Sequence, residues 1–324
     1  MSVGTNVRAG RSTRALFGLQ AAKGTPLANL SLASTMVLRP AFAQFDAGLV
    51  HSDPAWMSDD GAGSADAQHE VPTARSGELR ATPTPQALEF FLRSHWGAYA
   101  ANEFTRSTQP NEWATIALVE NRHAVTSGNL VRFYDAWVHH LRMEIDSAGR
   151  GLLRAEYAAE ASDVRALNAR GDVTLPAANM EPGDVNEFAG RSATLKRDPD
   201  GDNETMPFSR LALDLDGGLI ENWFDSDQQV RVYSRGHRRV RVQLTGRVND
   251  ETWVALTASR AGTSEPYRLT WTAPSPAKTF TVDLHSIRWN PEPLVTRGFE
   301  YEAFVASGVA LIDDAGDYVD FTLA

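Results

Sequence analysis

The chain reads as a mainly β protein built from two tandem β-sandwich domains, each with one flanking helix. Three observations predict this. First, apolar and polar residues alternate over many short stretches, the period of a strand with one buried face. Second, helical periodicity is confined to brief segments. Third, the pattern repeats. The stretch "LRMEIDSAGRGLLRAEYAAEAS" (Leu141–Ser162) matches "IRWNPEPLVTRGFEYEAFVASG" (Ile287–Gly308) without a gap, at an offset of 287 − 141 = 146 residues. Leu141-Arg142-Met143 falls on Ile287-Arg288-Trp289, and Glu156 falls on Glu302. Each copy reads as a strand, a short polar turn with Gly or Pro, and a second strand.

In chain order, residues 1–30 form a polar arm without sustained periodicity, and a strand is expected over about Thr35 to Phe45. A long irregular stretch follows at 46–74, a length that in compact domains is usually functional or disordered. Gly77 to Ala81 reads as a strand. The next segment is helical, with Thr84 as N-cap, Pro85 at the first helical position, Leu88, Phe91 and Leu92 facing the core, and Gly97 ending it. A strand begins near Trp113 and the first hairpin follows.

The second half repeats this order. Ser209 to Asp216 places Leu211, Leu213 and Leu215 on one face, and Val240, Val242, Leu244 and Val248 alternate with Arg239, Arg241, Gln243 and Arg247. A helix and the strand "YRLTWTA" from Tyr267 come next, then the second hairpin. The expected organisation is an arm (1–30), a first domain (31–164), a linker (165–205) and a second domain (206–324). A period this long signals two copies of a domain rather than a solenoid.

Composition narrows the function. A formal charge of −10 argues against binding nucleic acid by neutralising phosphates. The chain has no cysteine, hence no disulfide, thiolate metal site or cysteine nucleophile. Arg8, Arg11 and Arg14 ahead of Ala41-Phe42-Ala43 mimic a secretion signal, but Lys23, Gly24, Pro26 and Asn29 interrupt the apolar segment such a signal needs. No apolar run is long enough for a membrane helix. In "DPDGDNE" (198–204), Asp198, Asp200 and Asp202 alternate as in calcium loops. The Gly stands at the fourth position and Ser209 at the twelfth, so a solvated turn is expected. His139 and His140 are adjacent and point to opposite faces of a strand. Nucleophile-elbow and phosphate-loop motifs are absent, so neither an enzyme nor a bound cofactor is expected.

Four stretches together resemble the tail tube (major tail) proteins of long, non-contractile-tailed bacteriophages. They are "RALFGLQAAKGTP" (14–26), "SGELRATPTPQALEFFLRSHWG" (76–97), "FYDAWVHHLRMEIDSAGRGLLRAEYAA" (133–159), and "PFSRLALDLDGG" followed by "RVRVQLTGRVND". In the first, Gly24-Thr25-Pro26 lacks the family's spacer, Gln20 stands near its acidic position, and Lys23 replaces its aromatic. The resemblance implies tail-tube-like sandwiches polymerised as stacked rings around a DNA channel, in the virion after assembly in a bacterial cytoplasm. A duplicated sandwich implies trimeric rings with pseudo-sixfold symmetry. The partners it implies are further copies of the chain, tail terminator, distal tail and tape-measure proteins, and double-stranded DNA in transit without sequence-specific binding or membrane insertion.

On this reading Trp56, Met57, Trp223 and Phe224, in the loop at 46–74 and its counterpart at about 217–238, are candidate ring-to-ring contacts. Arg142, Glu144 and Asp146, opposite Leu141, Met143 and Ile145, are candidate channel-facing residues, and an acidic lining would repel phosphates. The alternative from the same sequence is a capsid decoration or adhesin-type binding module, which would share the sandwich but stay small in solution.

Overall fold

The computed structural model describes residues 13–25, 35–38, 42–45, 75–106, 113–120, 128–149, 151–167, 187–201, 203–223, 231–235, 237–247, 250–274, 277–291, 295–296, 302–311 and 319–324. The first half contains β1 (Thr13–Leu19), β2 (Thr35–Leu38), β3 (Phe42–Phe45), β4 (Arg75–Ala81), α1 (Pro85–His95), β5 (Tyr99–Ala100), β6 (Glu103–Phe104), β7 (Ala114–Glu120), β8 (Gly128–Asp146) and β9 (Leu152–Leu167). The second contains β10 (Ala193–Arg197), β11 (Glu204–Met206), β12 (Arg210–Asp216), β13 (Leu219–Trp223), β14 (Arg231–Arg235), β15 (Arg239–Arg247), α2 (Asp250–Arg260), β16 (Glu265–Pro274), β17 (Ala277–Pro291), β18 (Val295–Thr296), β19 (Glu302–Ala310) and β20 (Val319–Leu323). Among the described residues eighteen strands join in one antiparallel sheet, and β13 and β14 pair only with each other.

Local sequence explains the first helix. The Thr84 side chain accepts a hydrogen bond from the Ala87 amide at 3.1 Å, and Pro85 occupies the first turn, where no N–H is needed. Leu88, Phe91 and Leu92 are fully buried. The chain leaves the helix at Gly97, whose φ of 151° is open to glycine.

The order of strand pairing occurs twice. β1 lies between β2 and β7 as β10 lies between β11 and β16. The series β7–β8–β9–β4–β3 is matched by β16–β17–β19–β15–β12. Each helix follows the matching strand, β4 or β15. Register fixes the spacing. Ile116 pairs with Phe133, and Tyr267 with Leu284, so 267 − 116 = 284 − 133 = 151. The residue 151 beyond Ala155 is Ala306; Ala155 pairs with Leu79 and Ala306 with Leu244, which makes Leu244 the counterpart of Leu79.

This corrects the ungapped offset of 146 read from the sequence. The second hairpin does not turn at the Pro291 segment, because β18 continues the β17 ladder and Val295 and Thr296 pair with Ala303 and Glu302. The two offsets differ by an odd number, and the bulge between Val138 and His140 reverses the parity of β8, so buried Leu141 and Met143 fall on buried Ile287 and Trp289 at 146 although the pairing repeats at 151.

Other boundaries change too. Residues 13–19, expected in the arm, form a strand held on both edges, β10 lies inside the expected linker, and β11 runs across its end at 205. The single strand expected over 35–45 is two strands, β2 pairing with β1 and β3 with β4. Pro40, which has no N–H to give a ladder, stands between them in sequence.

The halves are not separate bodies. β12 pairs with β8 from Arg210–Asp146 to Asp216–His140, and one buried cluster runs through residues of both halves, from Leu79 to Leu323. The segment 187–192 fastens them further. The Phe188 amide donates to the Pro83 carbonyl (2.9 Å), and its ring tilts against Trp271, whose indole N–H donates to Ala189 (2.8 Å). Gly190 sits so close to the first hairpin turn that an added Cβ would overlap the Asp146 carbonyl oxygen. Backbone atoms cannot step aside as a side-chain tip does. Gly190→Ala is therefore expected to destabilise the protein by about 1–3 kcal/mol, read as a lower midpoint in urea unfolding.

Candidate functional site

The joined strands β4–β9–β8–β12–β15 carry one continuous polar face. On β8, Leu141, Met143 and Ile145 are buried, while Arg142 and Glu144 project from the other side and Asp146 is exposed. Residues directly opposite across antiparallel strands share a face. One row therefore runs Glu78, Glu156, His140, Asp216, Arg239, and the next Arg80, Arg154, Arg142, Asp214, Arg241. Glu144 lies opposite Ala212, and Asp146 opposite Arg210.

These groups are paired with one another. Arg142 bridges Glu144 (2.8 Å) and Asp214 (2.9 Å) and donates to Gln243 (3.2 Å). Arg210 reaches Glu144 at 2.7 Å. His140 bonds Asp214 through Nε2 and lies 3.2 Å from Glu156 through Nδ1. Glu78 is paired with Arg80 and stands 3.8 Å from Arg154. Two carboxylates serve the backbone instead: Asp146 accepts from the Ala148 amide (3.0 Å) and Asp216 from the Gly218 amide (2.9 Å), each shaping the turn after its strand.

In these rows six carboxylates (Glu78, Glu144, Asp146, Glu156, Asp214, Asp216) face six guanidiniums (Arg80, Arg142, Arg154, Arg210, Arg239, Arg241). With His140, whose pKa is pushed up to about 9, the described face carries no excess of acid, unlike the chain as a whole. Besides Arg142, the arginines on this face come from four other strands, β4, β9, β12 and β15, which no local window of the sequence displays together.

His140 stands at the join of the halves, between Glu156 on β9 and Asp214 on β12. The hydrogen bond to Asp214 raises its pKa, burial opposes this, and the charges of Asp214 and Glu156 add to the rise, so it is pushed up to about 9. Burial alone would raise the Asp214 pKa, but the bonds and charges of His140 and Arg142 outweigh it and hold the carboxyl below the usual range. Glu144 is likewise lowered, burial being outweighed by Arg210 and Arg142. Neighbouring His139 goes the other way because burial disfavours its charged form.

A second polar cluster ties down residues 20–25. The buried Asp135 accepts from the Gln20 amide group (2.8 Å) and the Gly24 N–H (2.7 Å), and its own N–H donates to Gln20 (2.8 Å). Asp135 has φ of 51°, a left-handed conformation that Asp tolerates better than most residues. Lys23 lies 4.7 Å over the Trp113 ring and pairs with Glu160 at 2.7 Å. No motif marked Asp135. Gln20 and Lys23 stood out only as departures from the tail-tube arm.

Of the candidate ring-to-ring contacts, Trp56, Met57 and Phe224 lie outside the described residues, as do Asp202 of the acidic turn and the loop at 46–74. Trp223 is the last residue of β13, its backbone opposite Arg231. In the 198–204 turn, Asp198 accepts from the Gly201 and Asn203 amides through its carbonyl, and Asp200 lies 3.6 Å from Arg268. Among the described residues no group of three or more His, Asp or Glu could hold a metal ion, and no helix is long and apolar enough to cross a membrane. The chain matches no family model, and no curated protein matches it.

Two outcomes follow from these clusters. The His140 pKa is raised above its ordinary value of 6.5, so the stability it contributes is complete below that pH and is lost as pH rises through about 9. Thermal melting between pH 6 and 10 is expected to show this loss, and His140→Gln to lower the midpoint at pH 6 while flattening the alkaline decline. Asp135→Ala removes the acceptor for the buried Gln20 amide and the partly buried Gly24 N–H. An expected cost of about 1–3 kcal/mol is measurable by urea unfolding, with faster proteolysis at 20–25.

Proposed function

We propose that this protein is a structural subunit that polymerises. Three chains close into a ring of six equivalent units, and rings stack into a hollow tube of the long, non-contractile phage-tail type through which DNA passes. The repeated pairing order is read as a duplicated β-sandwich domain. The observation that carries the reading is the seam between β8 and β12.

Each half contributes four strands to one series: β3, β4, β9, β8, then β12, β15, β19 and β17 with its continuation β18. The last strand of the first group meets the first strand of the second. A join of this kind is heterologous, because the two surfaces differ and each unit keeps one of each to offer onward. Repeated by a fixed rotation it closes a ring, and ring on ring makes an open tube. Three chains of eight strands give 3 × 8 = 24 strands, and barrels of about 16–18 strands already leave an aqueous channel.

The polar face that bears Arg142, Glu144 and Asp146 is the proposed channel lining, because the opposite face of the same strands is core. Its carboxylates pair with Arg80, Arg142 and Arg210 and so compete with phosphate for them, which lets a duplex slide without being held tightly. Lubrication then comes from this internal pairing instead of repulsion by an acidic wall. The role needs no catalysis or cofactor. Contacts with tail terminator, distal tail and tape-measure proteins, and a place in the virion, follow from the same reading.

Negative-stain electron microscopy of the purified protein tests it, with top-view averages and the mass per ring. Hollow six-lobed rings or tubes with three chains per ring are expected. Six chains per ring would retain the tube and remove the trimer. Small solid particles at high concentration would overturn the reading in favour of a decoration or adhesin-type module.

A further inference from the structure

Resting on the ring reading, we infer that β3 of one copy pairs antiparallel with β18 of the next, placing Ala43 opposite Thr296 and Gln44 opposite Val295. The two strands are the open ends of the eight-strand series. Among the described residues β3 pairs only with β4, and β18 only with β19. Their counterparts are both satisfied on two edges: β12 lies between β15 and β8, and β8 lies between β9 and β12 along its second half. The edges open at the ends of the chain are thus the edges that meet at its internal seam. They stand at opposite ends of the series and, among the described residues, do not pair with one another, so the occupant of each is the complementary edge of a second copy. Unpaired strand edges are templates for such addition.

Register follows from the internal seam. Val295 pairs with Ala303 as Glu144 pairs with Leu152, and 295 − 144 = 303 − 152 = 151. Ala43 pairs with Leu79 as Leu211 pairs with Leu244, where Leu79 and Leu244 are the residues already matched through Ala155 and Ala306. Hence Ala43 corresponds to Leu211 and Thr296 to Ile145. Ile145 and Leu211 are partners at the seam, and Glu144 and Ala212 are the next pair. Carried to the ends of the chain, these become Thr296 with Ala43 and Val295 with Gln44. Three internal seams and three such joints close a ring of three chains.

The absence of cysteine makes the register directly readable by disulfide trapping. Opposed residues on antiparallel strands have Cα atoms about 4.5–5.5 Å apart, inside the range of about 4.4–6.8 Å that a disulfide spans. The variant Ala43→Cys with Thr296→Cys, and separately Gln44→Cys with Val295→Cys, are oxidised with copper phenanthroline after assembly and run on non-reducing gels. The expected result is a shift of the monomer band to covalent dimers and trimers that reverses with reductant. The shifted pair Ala43→Cys with Val295→Cys puts its thiols on opposite faces and is expected to stay monomeric. Microscopy of the same samples separates the two levels of failure. Rings without a ladder from either matched pair, an equal ladder from the shifted pair, or cross-links confined to one chain would overturn this joint and leave the ring reading standing. Wild-type protein without rings or tubes would overturn both.

Discussion

Seven backbone residue pairs between β8 and β12 hold the halves of this chain in one sheet, and nearly every other feature depends on them. They place Leu211, Leu213 and Leu215 beside Ile145, Met143 and Leu141, so the buried layer passes from one half to the other without a gap. They also bring Asp214 to His140 and Arg142. A slip of one residue would turn the three leucines of β12 onto the polar face and send its aspartates into the core. Burial therefore enforces the register more strongly than the hydrogen bonds themselves, whose net worth is about 1 kcal/mol each.

The polar network above the seam acts differently. Its members are partly exposed, and exposed ion pairs contribute little individually, about 0–1 kcal/mol. Their effect is on uniqueness and surface character. Arg142 touches Glu144 on its own strand, Asp214 on β12 and Gln243 on β15, so one guanidinium checks the alignment of three strands. Because acids and bases pair with one another, the face is a wet, charged surface without the acid excess of the whole chain.

Two stretches without obvious pattern act as fasteners. Residues 187–192 join Pro83 and Gly149 of the first half to Trp271 of the second through backbone and indole hydrogen bonds. Residues 20–25 are held by Asp135, whose carboxylate and strained backbone meet Gln20 and Gly24. Both rely on main-chain groups, which every residue carries, and neither leaves a periodic trace. Their polar composition suggested an arm and a linker, whereas the polar atoms are spent on fixed partners.

Local chemistry determined the elements that depend on it. The α1 cap at Thr84 and Pro85, the buried stripe of Leu88, Phe91 and Leu92, and the inward leucines and valines of β12 and β15 all follow from spacing that a single segment contains. The recurrence of elements was legible for the same reason. Its offset was not, since the bulge in β8 lets 146 match buried faces and only the partner strand reveals 151. The candidate face was half legible: parity put Arg142, Glu144 and Asp146 on one side of β8, but its charge depended on Arg80, Arg154, Arg210, Arg239 and Arg241, distant in sequence and adjacent in the sheet. Sequence by itself set most of the strands, the first helix and their inward faces, because those are properties of short segments in water. Tertiary structure alone decided the register, the join at β8 and β12 and the pairing of charges above it, because each is a relation between strands that the chain brings together only on folding.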